Sequence, residues 1–178
     1  MRYVAIDLGD KRTGLAVGDA MTRLATPLEV LEVPIDRNGG DALLDAIERA
    51  VVAQLGRTSG AADGAGVAGG ATPDAAAARG GFGGGSFTRG SAGELVVGLP
   101  MNMDGSEGQR AKLVRAFAAR IGARTGRVIH FFDERLTSAD ADWAMARTGM
   151  THKQKKERRD AIAAAVILRG FLDSLPRE

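Results

Sequence analysis

The chain has 178 residues, no cysteine and a formal net charge of +2. This length predicts one domain with a substantial core, and the lack of cysteine excludes disulfides and thiolate metal sites. No apolar run reaches the ~18 residues of a membrane helix and the N-terminus lacks a signal pattern, so we expect a cytoplasmic protein with no membrane partner.

The first predicted elements are two β-strands joined as a hairpin, over Tyr3–Leu8 and Thr13–Val17. Asp7 lies inside the first strand, where a charged carboxylate without a partner is very costly to bury. It either caps the turn by accepting hydrogen bonds from the backbone or acts as a metal ligand at the end of a central strand. Because Gly9 and Gly14 would let the backbone approach a phosphate closely, a nucleotide-binding hairpin is a third interpretation.

A third antiparallel strand and an amphipathic helix follow, over Pro27–Val33 and Gly40–Leu55. The segment 57–93 differs in kind, because it holds 12 of the chain's 25 glycines together with 10 alanines. Such a composition buries too little apolar surface to offset the entropy cost of ordering it. We therefore expect a flexible insertion within a single domain that spans residues 1–178.

The second half of the chain completes the order βββ-α-β-α-β-α, which predicts an α/β layered fold. Two of its apolar runs are continuous, as is typical of strands that are covered on both faces. Its predicted elements are a strand over Glu94–Pro100, a helix with Leu113 to Ile121 on its apolar side, a strand over Arg127–Phe132, a short helix that contains Trp143, and a final helix from about Gln154 to Leu172.

Four acidic residues stand where a purely structural role explains them poorly. Asp7 lies inside the first strand, Asp133 and Glu134 directly follow the last strand, and Asp160 falls on the sheet-facing stripe of the final helix. A salt bridge to a basic neighbour on its own helix is the alternative for Asp160. Carboxylate oxygens suit Mg²⁺ or Mn²⁺, and three or four converging carboxylates are what a two-metal phosphodiester site requires.

Strand alternation does not decide which member of the acid pair binds metal, because both faces of that strand are apolar. The longer side chain of Glu134 can swing back toward Asp7. Asp133 can instead accept hydrogen bonds from the backbone N–H groups of Arg135 and Leu136 as a turn former. We therefore predict that Glu134 is the ligand and that Asp133 has a structural role.

Positive charge is concentrated in the second half of the chain. Residues 1–56 carry 6 basic and 9 acidic side chains, whereas residues 94–178 carry 15 basic and 11 acidic ones. One basic run falls on the helix that has Leu113 to Ile121 on its apolar side, and the other is Lys153–Arg159. Solvated helix faces are the default interpretation, but together with clustered acids the two runs suggest a phosphate-backbone partner.

Polar side chains near the acids are candidates for contact with a substrate. Asn102 and Ser106 precede a helix, so capping is the default role, with phosphate contact at that helix N-terminus as the alternative. Lys11, Arg12 and Arg135 lie beside acids. They either position a phosphate or neutralise those acids.

Four motifs follow one another in register along the chain. They are the hairpin Ala5–Gly18, the loop Val97–Ser106, the run Asp133–Ser138 and the helical run Asp160–Leu168. Together they resemble the YqgF (RuvX) family, and the resemblance covers residues 2–56 and 94–173. It implies an RNase H-like fold with strand order 3-2-1-4-5, a bacterial cytoplasmic setting and cleavage at the ends of the 16S rRNA precursor. It also implies that the family's acids correspond to Asp7, the Asp133–Glu134 pair and Asp160.

The leading interpretation is a metal-dependent endonuclease that uses Mg²⁺ or Mn²⁺, with two ions expected, on structured RNA or on branched DNA. An ATP-binding protein of the actin or sugar-kinase type shares the Asp-x-Gly…Thr-Gly hairpin. That architecture needs two copies of the fold, however, and 178 residues hold one. A nucleic-acid-binding factor without catalysis stays open, as do the choices between RNA and DNA and between monomer and homodimer.

Overall fold

The computed structural model describes residues 1–58, 93–137 and 152–176. Within these ranges, five strands form one sheet and three α-helices cover it. Short 3-10 turns precede the first helix and follow the last strand, at Arg37–Gly40 and Glu134–Thr137. The elements are β1 (Arg2–Leu8), β2 (Thr13–Asp19), β3 (Leu24–Leu31), α1 (Asp41–Leu55), β4 (Glu94–Leu99), α2 (Gln109–Thr125), β5 (Ile129–Asp133) and α3 (His152–Ser174).

The sheet has the order β3-β2-β1-β4-β5. The first three strands are antiparallel, whereas β1 pairs in parallel with β4 and β4 with β5. The mixed five-stranded sheet that the resemblance implied is therefore confirmed. Because β1, β4 and β5 run the same way, their carboxyl ends meet at one edge of the sheet, where α/β proteins commonly place their sites.

The two faces of the sheet carry separate apolar cores. Val4 and Ile6 of β1 pack with α1 and α2 on one face, whereas Tyr3 and Ala5 pack with α3 on the other. This alternation is the period of two that a strand imposes on its side chains. It places Asp7, the next residue in phase with Tyr3 and Ala5, on the α3 face.

A tight loop joins β1 to β2 and fixes the backbone beside Asp7. The Gly9 N–H donates to the Arg12 carbonyl oxygen at 3.0 Å. A side chain at Gly9 would place its Cβ 2.3 Å from that same oxygen, so only glycine fits. The loop therefore holds the start of the Arg12 side chain in a fixed place next to the end of β1.

The predicted strand over Arg127–Phe132 begins two residues too early. Arg127 is buried and its guanidinium donates to the carbonyl oxygens of Gly93, Leu55 and Gly56 at 2.6, 3.1 and 2.8 Å. The residue thus ties the ends of α1 and β4 together before β5 starts. None of the described helices is both long and apolar enough to cross a membrane.

Two predicted features lie outside the described residues. They are the short helix that contains Trp143 and nearly all of the insertion at 57–93. The single-domain prediction with a flexible insertion therefore stays a prediction.

Candidate active site

Asp7 stands at the centre of the site, half-buried near the carboxyl end of β1. Its strand neighbours on both sides are glycines. Gly14 of β2 pairs directly with Asp7, and Gly98 of β4 follows the pair that Ile6 makes with Val97. The carboxylate is therefore flanked on both adjacent strands by positions without a side chain.

Each of these glycines leaves room for another acidic residue. A Cβ at Gly14 would lie 1.9 Å from the backbone oxygen of Asp160, because α3 rests directly on β2 at this position. A Cβ at Gly98 would lie 2.6 Å from Oε1 of Glu134. Real Cβ atoms do not approach other atoms so closely. Glycine at both positions thus allows Asp160 and Glu134 to come up to Asp7 from opposite sides.

The carboxylates of Glu134 and Asp160 influence the ionisation of Asp7. Burial raises the pKa of Asp7 to about 7, and the negative charges of Glu134 and Asp160 contribute to that rise. Burial also raises the pKa of Glu134, while the charge of Arg110 works to lower it. Groups that burial and like charges hold at raised pKa mark functional clusters more often than structural ones.

Asp133 behaves differently from its neighbour Glu134. The Arg135 guanidinium donates to both carboxylate oxygens, with its NH2 group 2.6 Å from Oδ2, and the Arg135 backbone N–H donates to Oδ1 at 3.0 Å. These bonds lower the pKa of Asp133. The same guanidinium donates to the carbonyl oxygens of Asn102 and Met103 at 2.8 and 3.2 Å. Arg135 thus joins Asp133 to the loop after β4.

Asp160 forms its ion pair across the site with the hairpin loop. Nε of Arg12 lies 3.1 Å from Oδ2 of Asp160 and 3.8 Å from Oε1 of Glu32. Arg12 therefore lies between the candidate metal ligand Asp160 and Glu32, an exposed acid in the segment that follows β3. The neighbouring Lys11 is exposed to solvent at the tip of the loop.

Arg110 was not among the residues predicted for the site. It lies in the first turn of α2, donates to the Leu8 carbonyl oxygen at 2.6 Å and forms an ion pair with Asp10. Its charge acts to lower the pKa of both Asp7 and Glu134. In the sequence, Arg110 belongs to the basic run of α2, for which a solvated helix face is the default interpretation. The one sequence feature that distinguishes Arg110 from the other arginines of this run is its place in the first turn of the helix that follows a parallel strand.

The predicted capping role of Asn102 and Ser106 is wrong. The helix N-cap is Gly108, which has extended backbone and no side-chain capping bond. Asn102 Nδ2 instead donates to Oγ of Ser106 at 2.9 Å, and the Ser106 hydroxyl donates to Oδ1 of Asp104 at 2.6 Å. The two side chains are used within the loop, because the loop closes on itself before α2 begins.

The basic run on α2 is also not a free face. Arg120 and Arg124 meet acids of the first half of the chain, and Arg115 meets an acid that directly precedes α2. Such paired cations are poor candidates for binding a phosphate backbone. The pairs are Arg115 with Glu107 at 2.5 Å, Arg120 with Asp41 at 2.8 Å, and Arg124 with Glu48 at 2.9 Å and with Asp45.

The site offers carboxylate oxygens, the donors that Mg²⁺ and Mn²⁺ prefer. Gly98 leaves room for the Glu134 carboxylate beside Asp7, and Gly14 lets the backbone of Asp160 lie against β2. Within residues 1–58, 93–137 and 152–176, however, no three carboxylate, imidazole or thiolate side chains are grouped closely enough to hold a metal as they stand. The donor chemistry thus fits a divalent ion, and the side chains would have to close around it.

Comparison with known proteins gives a consistent match. A family model described as RuvX, Holliday junction resolvase, matches residues 1–55 and 87–174. A protein of Anaeromyxobacter sp. (strain Fw109-5) named "Putative pre-16S rRNA nuclease" is 34% identical over 173 residues, 97% of each chain. One of Ruegeria pomeroyi with the same name is 34% identical and covers 96% of this chain and 84% of its own length. T. thermophilus RuvC in complex with Holliday junction substrate aligns with a TM-score of 0.49 and 14% identity over 97% of this chain and 95% of that one, too distant a likeness to carry an argument.

Proposed function

We propose that this chain, which belongs to the RuvX family of nucleases, is a divalent-metal-dependent endonuclease for structured nucleic acid. One observation carries the proposal. Asp7 is half-buried between two glycines, and Glu134 and Asp160 approach it through the space that those glycines leave. An arrangement that brings like charges together disfavours folding, so a role in binding cations explains it better than a role in stability.

Asp7, Glu134 and Asp160 are the residues that would hold Mg²⁺ or Mn²⁺, with two ions as the expected number. Bound there, such ions activate water and stabilise the leaving oxygen of a phosphodiester. Repulsion among the three carboxylates favours their separation in the absence of a cation.

The other residues of the site support this set. Asp133 and Arg135 hold the loop after β4 against the end of β5, so they position Glu134 without being ligands themselves. Arg110 lies within electrostatic reach of Asp7 and Glu134 and moderates their repulsion. Lys11 is exposed at the rim and is the candidate for a phosphate contact outside the acid cluster.

For the substrate we propose the ends of the 16S rRNA precursor, in the cytoplasm. The names of the curated relatives support this choice, since both relatives described above are named for pre-16S rRNA. A four-way DNA junction is the second candidate, because the description of the family model names that substrate.

A cleavage assay tests the proposal. Wild-type protein and Asp160→Asn would be incubated with a precursor RNA that spans a 16S end and with a four-way DNA junction, each with Mn²⁺ and with EDTA. We expect the wild type to cut the RNA only with Mn²⁺ and Asp160→Asn to lose that cleavage. Preferential cutting of the junction would select the second candidate, and cleavage of neither substrate by the wild type would contradict an endonuclease.

A further inference from the structure

The ion pair between Arg12 and Asp160 is the feature of the site that metal binding alone does not explain. The Arg12 Nε lies 3.1 Å from Oδ2 of Asp160, so a guanidinium is already paired with one of the proposed metal ligands. Arginine keeps its charge at every accessible pH. A divalent ion that binds the same carboxylate must therefore face a fixed positive charge a few ångströms away.

The backbone of Arg12 cannot relieve this conflict by moving. Its carbonyl accepts the hydrogen bond from Gly9 that closes the loop, and Thr13, the next residue, is fully buried at the start of β2. The side chains of Arg12 and Asp160 are, in contrast, 37% and 31% exposed. The guanidinium can therefore turn toward solvent while its backbone stays in place.

A second acid gives the displaced side chain a direction. Glu32 lies 3.8 Å from the same Arg12 nitrogen, and its side chain is 77% exposed. Attraction to Glu32 would keep the guanidinium at the rim of the site after it leaves Asp160. A nucleic-acid backbone that enters over this rim meets a cation shaped to bind phosphate oxygens in a bidentate manner.

We propose that Arg12 is a positioning residue that exchanges partners. It neutralises Asp160 in the metal-free protein and is released to a phosphate of the substrate when divalent ions take its place. This inference rests on the proposed metal-dependent nuclease. It adds that metal and Arg12 compete for Asp160, which makes metal loading and phosphate binding successive steps.

Competition predicts that removing Arg12 tightens metal binding. The first measurement is calorimetric titration of Mn²⁺ into Arg12→Ala and wild type without nucleic acid. The energy of a partly exposed ion pair, together with relief of cation repulsion, corresponds to a Kd about three- to tenfold lower for Arg12→Ala. Arg12→Lys keeps the charge and should stay close to wild type.

Arg169 supplies a matched control elsewhere on α3. It forms an ion pair at 3.5 Å with Asp173, one helical turn further along, and both side chains are more exposed than those of Arg12 and Asp160. Arg169→Ala should therefore leave the Kd for Mn²⁺ unchanged. Thermal melting of each variant checks that its fold is intact.

The second measurement is the KM for RNA cleavage at saturating Mn²⁺. Release of Arg12 to a phosphate predicts that Arg12→Ala raises the KM about tenfold while it binds metal more tightly, and a purely structural role would not give these opposite effects. Unchanged or weaker Mn²⁺ binding by Arg12→Ala would overturn the competition, and an unchanged KM would overturn the exchange. No saturable Mn²⁺ binding by the wild type would instead contradict the proposed nuclease itself.

Discussion

The two faces of the sheet use the same residue types for opposite purposes. On the face of α1 and α2, acids and arginines meet in pairs at the rim, as Glu107 does with Arg115. On the face of α3, carboxylates approach one another over β1, and Asp7 lies between Glu134 and Asp160. The first arrangement pairs opposite charges, and the second concentrates negative charge.

The pKa shifts record this contrast. Hydrogen bonds from Arg115 lower the pKa of Glu107, whereas burial and like charges raise that of Asp7 to about 7. A paired carboxylate contributes a little stability, and a convergent one costs stability until a cation joins it. The partner of an acid, more than its type or its neighbours in the sequence, thus indicates whether it serves structure or chemistry.

The largest expected effect separates the two members of the acid pair. Glu134→Gln should reduce cleavage by roughly a thousandfold, because it removes a proposed ligand, with the free energy of unfolding nearly unchanged. Asp133→Asn should lose roughly 1 kcal/mol of stability and little activity, because Asp133 is engaged by Arg135. Single-turnover cleavage and urea unfolding measure both, and the reverse pattern would give the ligand role to Asp133.

The pH dependence of stability tests the convergence without any substrate. The pKa of Asp7 rises from 3.8 to about 7 on folding, so the folded state holds a proton that the unfolded state has lost between these values. Stability of the wild type in EDTA should therefore fall relative to Asp7→Asn as the pH rises from about 4 to about 7. The slope is about 1.4 kcal/mol per pH unit at most.

Urea unfolding of both proteins at several pH values measures this difference. Comparing the two proteins at each pH cancels the titration of the acids that they share. A difference in the free energy of unfolding that stays constant from pH 4 to pH 7 would show that Asp7 is not held at a raised pKa.

Part of this picture could be predicted from the sequence. Helix periodicity predicts the ends of α1 to within one residue. Side-chain length predicts that Glu134 can reach back toward Asp7, and a Cβ at Gly98 would lie 2.6 Å from Oε1 of Glu134. The Asp133 hydrogen bond to the backbone N–H of Arg135 was predicted in the same way. These features depend on local geometry, which a sequence pattern carries.

The contacts between distant elements could not be predicted. Arg124 pairs with acids of α1 that lie 76 and 79 residues earlier, and Arg110 reaches the end of β1 across 102 residues. Charge counts placed the surplus cations on α2 correctly but gave no means of seeing that another helix neutralises them. The resemblance to a family likewise placed the acids in the chain and left their partners unspecified.

Two glycines, one on each side of the sheet, differ in how much space they leave for an added methyl group. Gly98→Ala would place its Cβ 2.6 Å from Glu134 and 2.7 Å from Ile167, so we expect roughly a ten- to hundredfold loss of cleavage. Gly122→Ala on α2 would meet its nearest atom, at the end of the Ile129 side chain, at 3.3 Å. It should leave cleavage unchanged and is the matched control. Equal rates for the two variants would mean that the position of Glu134 does not matter.

The smallest effect concerns the paired face. Arg124→Ala breaks ion pairs with Asp45 and Glu48 that are largely open to solvent, so it should cost about 0.5 kcal/mol of stability. Its affinity for RNA should match that of the wild type, because the arginine is already neutralised. A fluorescence anisotropy titration at two salt concentrations checks this. If Arg124→Ala bound RNA clearly more weakly than the wild type and with a smaller dependence on salt, that result would show that nucleic acid contacts α2.

We propose that Asp7 is the core of a metal-dependent catalytic site. Single-turnover cleavage of a 16S precursor RNA by wild type and Asp7→Asn, in one Mn²⁺ buffer, tests it most directly. Asn keeps the size and hydrogen-bonding capacity of Asp but removes the anionic ligand, so we expect folded protein with cleavage reduced by roughly a thousandfold or more. Comparable rates for the two proteins would contradict the claim.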